Sequence, residues 1–120
     1  MENSAPKEFK PETTEVKHVL VVKFKPETTE ERIEELIKEF VKLTDVFKSI
    51  KNFIWGKDES IANMTGGNTH VFQLTFDTME DVNAYIAHPA HMGFAKQLLE
   101  ATDSIILMDY KPVTVTIPHA

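Results

Sequence analysis

Tyr85, His88 and His91 fall within seven residues of the segment Tyr85-Ile86-Ala87-His88-Pro89-Ala90-His91-Met92-Gly93-Phe94. An imidazole titrates near neutral pH and serves as a general base, and a phenol donates a hydrogen bond without competing for the proton. Tyr85 and His91 are therefore the residues whose types and spacing suit proton transfer. Pro89 separates them, and a proline ends a helix and pushes the residue before it out of helical dihedrals. The spacing predicts a helix, a corner at His88-Pro89, and a second helix, with the acid/base pair facing whatever space the corner leaves.

The elements that must position this pair follow from periodicity. Val16–Phe24 alternates, with His18, Leu20, Val22 and Phe24 on one face and Val19, Val21 and Lys23 on the other, which predicts a strand. Thr28 and Glu31 have capping-box spacing ahead of Ile33, Leu36, Ile37, Phe40, Leu43 and Phe47, an apolar stripe at helical intervals. Lys51–Lys57, with Phe53 and Trp55, reads as a second strand, and the polar stretch to Gly66-Gly67 as a loop. Asn68–Phe76 predicts a third strand with His70, Phe72, Leu74 and Phe76 on one face. Asp77 or Thr78 caps a helix whose stripe is Met79, Val82, Tyr85 and Ile86, and Phe94, Leu98 and Leu99 mark a short helix after the corner. Ser104–Tyr110 is the fourth strand. Val113, Val115 and Ile117 predict an arm strand confined to an edge by Pro112 and Pro118.

The order is β-α-β-β-α-β, an α+β ferredoxin-like protomer. Helices on one face leave the other sheet face open and apolar, with Val, Ile, Phe and Trp residues available. That predicts a homodimer, two sheets closing face to face into an α+β barrel. The division expected is an extension over 1–15, a domain over 16–112 and a tail over 113–120. Phe9-Lys10-Pro11-Glu12-Thr13-Thr14-Glu15 recurs letter for letter at Phe24–Glu30, but the period does not continue, so no repeat architecture follows.

The 120 residues suit one domain, and 42% hydrophobic with 27% charged residues is ordinary for a globular protein. Thirteen basic against nineteen acidic residues, a formal charge of −6, argue against nucleic acid or an anionic membrane as partner. No segment is long and apolar enough to span a bilayer, and the first residues carry no apolar leader core. With no cysteine in the chain, disulfide and thiolate chemistry are excluded, and the expectation is a cytoplasmic protein. Five histidines suggest a metal, yet His88 and His91 have no third ligand near them and no His-x-x-x-His lies on one helix, so no metal site is expected. The acidic stretch Glu30, Glu31, Glu34, Glu35 and Glu39 is interleaved with Arg32, Lys38 and Lys42 and reads as a solvated helix face.

Val16-Lys17-His18, Asn52–Asp58, Thr69–Phe72 with Thr75-Phe76, the Tyr85–Phe94 segment and Asp109-Tyr110 together resemble the stress-responsive dimeric α/β-barrel proteins of plants, over residues 16 to about 112. That family contains heat-stable proteins without a clear reaction and a polyketide cyclase that closes a linear tetraketide by intramolecular aldol condensation. The resemblance to the cyclase implies His91 as general base and Tyr85 as donor to the enolate or aldol oxygen, with no cofactor. It also implies a substrate lining of His18, Leu20, Val22, Leu36, Phe40, Phe72, Met92, Phe94, Ile105 and Leu107, and an apolar or poly-carbonyl small molecule as partner. Three positions depart from the cyclase: Phe40 replaces a tyrosine, Phe72 a smaller aliphatic and Thr102 a tryptophan. Other roles for the same residues remain open: Tyr85 as a core aromatic, His91 as a helix residue bonding backbone, His18 and His70 as satisfied core histidines, and the cavity as a carrier site.

Overall fold

A computed structural model of the chain describes residues 9–11 and 13–119. The extension expected over 1–15 lies mostly outside the described residues. The elements run β1 (Val16–Phe24), α1 (Glu30–Val46), β2 (Asn52–Lys57), β3 (His70–Phe76), α2 (Met79–Ala87), α3 (Pro89–Ala101) and β4 (Thr102–Tyr110). All three strand pairings are antiparallel and the sheet order is β2-β3-β1-β4, the ferredoxin-like arrangement.

The pleat assigns each strand residue to a face. His18 stands opposite Leu74 and Asp109, and Leu20 opposite Phe72 and Leu107, on the face the helices cover. The alternation of β1 is visible in burial, where Val16, His18, Leu20 and Val22 are all buried. Against this face α1 lays Ile33, Leu36, Phe40 and Leu43, α2 lays Val82 and Tyr85, and α3 lays Phe94, Leu98 and Ala101. Spacings of three and four put each set on one side of its helix, so burial of these stripes rather than helix propensity holds the layer together.

The caps differ in part from expectation. Thr29, not Thr28, caps α1, accepting from the Arg32 N–H at 3.0 Å, so no reciprocal Glu31 bond forms. Thr28 instead donates its hydroxyl to the Ala101 carbonyl at 2.8 Å and ties the start of α1 to the end of α3. Of the two candidates for α2, Thr78 is the cap, accepting from Asp81 N–H at 3.1 Å. A cap of this kind contributes about 1 kcal/mol.

The open sheet face is apolar, but not with the residues expected. Ile54, Val71, Ile106 and Met108 are exposed there and Val19 and Val21 are partly so, with Lys17, Lys23, Gln73 and Thr75 among them. Phe53 and Trp55 lie on the helix side instead, because they pair with Leu74 and Phe72, both inward-facing. Trp55 is 43% exposed at the β2 edge and stacks on His70 and Phe72. The arm strand expected after Pro112 is absent: residues 111–119 carry no regular structure and Val113, Val115 and Ile117 are exposed.

Candidate functional site

The corner between α2 and α3 is built by the backbone bonds that Pro89 removes. In a continuous helix the Tyr85 carbonyl would accept from residue 89, which has no N–H, and the Ile86 carbonyl from Ala90. The Tyr85 carbonyl accepts from His88 N–H instead, at 3.2 Å, and Ala90 N–H donates to the Nδ1 of His88 at 3.0 Å, which makes His88 the exposed N-cap of α3. The Ile86 carbonyl is left without its helical donor. His91 takes that place, with Nδ1 3.1 Å from the Ile86 oxygen. A carbonyl only accepts, so Nδ1 carries the ring proton and Nε2 keeps its lone pair. The backbone bond that an idle histidine would make is here also the one that prepares a base.

Tyr85 is buried against Phe47 and Phe76, and its ring centroid lies 4.5 Å from that of His91 and 5.8 Å from that of His18. Among the described residues none accepts from or donates to its hydroxyl, which is not sealed from the adjoining space. Burial raises the Tyr85 phenol well above its ordinary value, so it stays protonated and remains a donor. Burial lowers His91, with the neighbouring His18 adding to that effect and the Ile86 carbonyl opposing it, so the ring is neutral at neutral pH.

These groups open on one cavity of about 180 Å³, lined by His18, Leu20, Phe40, Tyr85, His91, Phe94, Ala95, Leu98, Leu99, Ile105 and Leu107. Tyr85, His91 and His18 are its only polar residues. His18 enters from β1, 1% exposed, with Nδ1 2.6 Å from the Asp109 carboxylate on the neighbouring strand. That carboxylate holds the Nδ1 proton and orients the ring, as carboxylates do for metal-ligating and catalytic imidazoles.

Eight of the twelve residues expected at the site line this cavity: His18, Leu20, Phe40, Tyr85, His91, Phe94, Ile105 and Leu107. Val22, Leu36 and Phe72 do not. They are wholly buried in the core, and the Phe40 ring, 5.1 Å from that of Phe72, stands with the cavity. Met92 is 53% exposed and also misses the cavity, being one step of about 100° round α3 from His91. Ala95, Leu98 and Leu99 were missed, although their spacing of four, seven and eight from His91 is the signal that marks them as its neighbours. Thr102 is not among the lining residues. Its hydroxyl donates to the Leu98 carbonyl at 2.9 Å and closes the end of α3.

His70 lies outside this site. Its Nδ1 meets the Thr69 hydroxyl at 2.7 Å, its ring stacks on Trp55 and meets Phe24 edge-on, and its buried Nε2 has no partner among the described residues, so it is a core histidine only half satisfied there. Among the described residues no cluster of three or more acidic or histidine side chains could hold a metal ion. No helix of the described residues is long and apolar enough to cross a membrane.

The description of the stress-responsive A/B barrel domain matches residues 16–112. The chain belongs to that family. As an A/B barrel protein it is 47% identical to the stress-response A/B barrel domain-containing protein HS1 of Arabidopsis thaliana over 102 residues, which are 85% of this chain and 94% of that one. It is 39% identical to olivetolic acid cyclase of Cannabis sativa over 97 residues, 81% of this chain and 96% of the enzyme. The crystal structure of the Arabidopsis thaliana protein At3g17210 superposes with a TM-score of 0.81 at 47% identity, covering 85% of this chain and 99% of that one. A Thermobifida fusca structure described as a dimeric ferredoxin-like protein shares the fold at a TM-score of 0.71 and 17% identity, over 86% and 95% of the two chains.

Proposed function

We propose that this protein is a cofactor-independent cyclase of the polyketide type, closing a poly-carbonyl substrate by intramolecular aldol condensation. The observation that carries the reading is the His91–Ile86 bond, which leaves the lone pair of a neutral imidazole and the hydroxyl of a protonated Tyr85 at one apolar cavity. His91 Nε2 removes a proton from a carbon between two carbonyls. The enolate oxygen takes a hydrogen bond from Tyr85, the carbon attacks a second carbonyl of the same chain, and the resulting alkoxide recovers the proton from the imidazolium. One carbon–carbon bond forms in this addition and its protons balance; loss of water from the β-hydroxy carbonyl adduct completes the condensation, with no change of overall oxidation state. The apolar walls contribute by folding the chain into an attacking shape. The 39% identity to olivetolic acid cyclase supports this reading.

The second reading is a non-catalytic stress-response protein or a small-molecule carrier using the same cavity, favoured by the higher identity to HS1. Both readings share a homodimer, supported by the apolar open sheet face and by the dimeric description of the Thermobifida fusca structure. Linear thioesters of three and four ketide units, incubated with wild type and His91→Ala, separate the readings. Cyclised product that requires His91 supports the cyclase; the same spontaneous lactones from both proteins leave the carrier or structural reading.

A further inference from the structure

We infer that the cavity beside Tyr85 and His91 takes an uncharged carbonyl compound of single-ring size and discriminates against a carboxylate of the same shape. This rests on the proposed reading of the site and narrows its substrate class. The first argument is volume. The cavity measures about 180 Å³. An apolar protein cavity of about 150 Å³ holds one benzene, so the enclosed part of a ligand here is about seven non-hydrogen atoms, one ring and little more. Phe40 sets this limit at the inner end, because its ring is fixed by Phe53, Phe72 and Phe94 at centroid distances of 4.9, 5.1 and 4.7 Å.

The second argument is charge. No lysine or arginine is among the eleven lining residues. His18 is already engaged by the Asp109 carboxylate, so an anion entering the cavity meets a fixed negative group behind the imidazole rather than a free cation. An ionised ligand would lose its hydration against Leu20, Phe94, Leu98 and Ile105 and gain no ion pair. A neutral carbonyl loses far less and finds a partner in the Tyr85 hydroxyl. The apolar ring of such a ligand meets the walls that remain.

Phenylacetone and phenylacetate test the inference, since they have the same number of non-hydrogen atoms and differ in charge. Binding of each is measured by ligand-observed NMR and calorimetry at pH 7.5 with wild type, with Ala95→Phe and with Lys96→Gln. Deuterium exchange of the phenylacetone methylene in heavy water is followed with wild type and His91→Ala. The expected result is phenylacetone binding at least tenfold tighter than phenylacetate, lost in Ala95→Phe, which fills the cavity, and retained in Lys96→Gln, on the exposed side of α3 outside the cavity. Equal or tighter binding of phenylacetate, or no binding of phenylacetone, overturns the inference and leaves the cyclase reading to the thioester assay. Selective phenylacetone binding with no His91-dependent exchange upholds the substrate class and counts against the catalytic role of His91 instead.

Discussion

His18 and Asp109 are register partners on β1 and β4, and Nδ1 of the one lies 2.6 Å from Oδ1 of the other. The pair joins the central strand to an edge strand at the point where the cavity begins. Its asymmetry is informative: the imidazole is buried while the carboxylate side chain keeps 19% of its exposure. Removing the exposed partner therefore strands the buried one.

Asp109→Ala should cost about 1–3 kcal/mol of unfolding free energy, because the buried Nδ1–H of His18 loses its acceptor. Asp109→Asn keeps an acceptor of the same size and should cost less than half as much. Urea unfolding of the three proteins checks this. Equal losses in both variants would show that the carboxylate acts by charge alone and not by receiving the His18 proton donor.

Tyr85→Phe separates the two roles of that residue. Its ring packs against Phe47 and Phe76, whereas its hydroxyl has no protein partner among the described residues. Unfolding free energy should change by less than about 1 kcal/mol. Turnover of a cyclisable substrate should fall by about a hundredfold or more, the usual cost of removing one oxyanion donor. Tyr85→Ala should by contrast cost about 3–5 kcal/mol through the cavity it leaves. A Tyr85→Phe protein with full turnover would reduce Tyr85 to a core aromatic.

The order of elements, the inward faces of β1 and β3 and the Tyr85–His91 corner were legible because periods of two and of three to four, and one proline, govern them directly. What was not legible depended on distances between elements. Val22 and Phe72 point inward as strand alternation says and Leu36 as helical spacing says, but only packing reveals that they are wholly buried behind the cavity walls. Trp55 sits on the helix side because of its register with Phe72, which a strand pattern without pairing cannot supply. Thr28 has capping-box spacing to Glu31, yet Thr29 takes the cap, because the Ala101 carbonyl claims the Thr28 hydroxyl from elsewhere in the chain. Met92 was implied by the resemblance to the cyclase, but it follows His91 directly on α3, and helical geometry turns sequence neighbours away from each other.

Stability should fall as pH drops below about 6.5. His91 and His70 are both held below the ordinary imidazole value of 6.5, each chiefly by burial, with Lys57 adding to the effect at His70 and Glu30 opposing it. The unfolded chain therefore binds protons on these rings before the folded chain does, and unfolding free energy rises with pH across that window. Their contribution is complete above 6.5 and is lost as pH falls toward the lowered folded values. The same shift keeps His91 a base in mild acid, so the acid limb of turnover should have its midpoint below 6.5. Urea midpoints at pH 7.5, 6.5 and 5.5 for wild type and His70→Asn/His91→Asn check the first point. A wild-type slope no steeper than that of the double variant would remove these histidines from the account.

The open sheet face carries the last prediction. Val71 and Ile106 flank Val21 across the two ladders, and Met108 flanks Val19, so the apolar residues are contiguous rather than scattered. A contiguous face of this kind is costly to leave in water and is self-complementary about a two-fold axis. Wild type should elute with twice the 13.7 kDa mass of one chain by light scattering. Ile106→Glu places a charge in the middle of that apolar face and should shift the protein toward the single-chain mass. On a monomer the same exposed substitution should change stability by less than about 0.5 kcal/mol. The control is Glu34→Gln on the outer side of α1, which should leave the mass unchanged. A wild-type protein that stays at the single-chain mass at micromolar concentration would refute the face-to-face dimer, and the apolar face would then need another occupant.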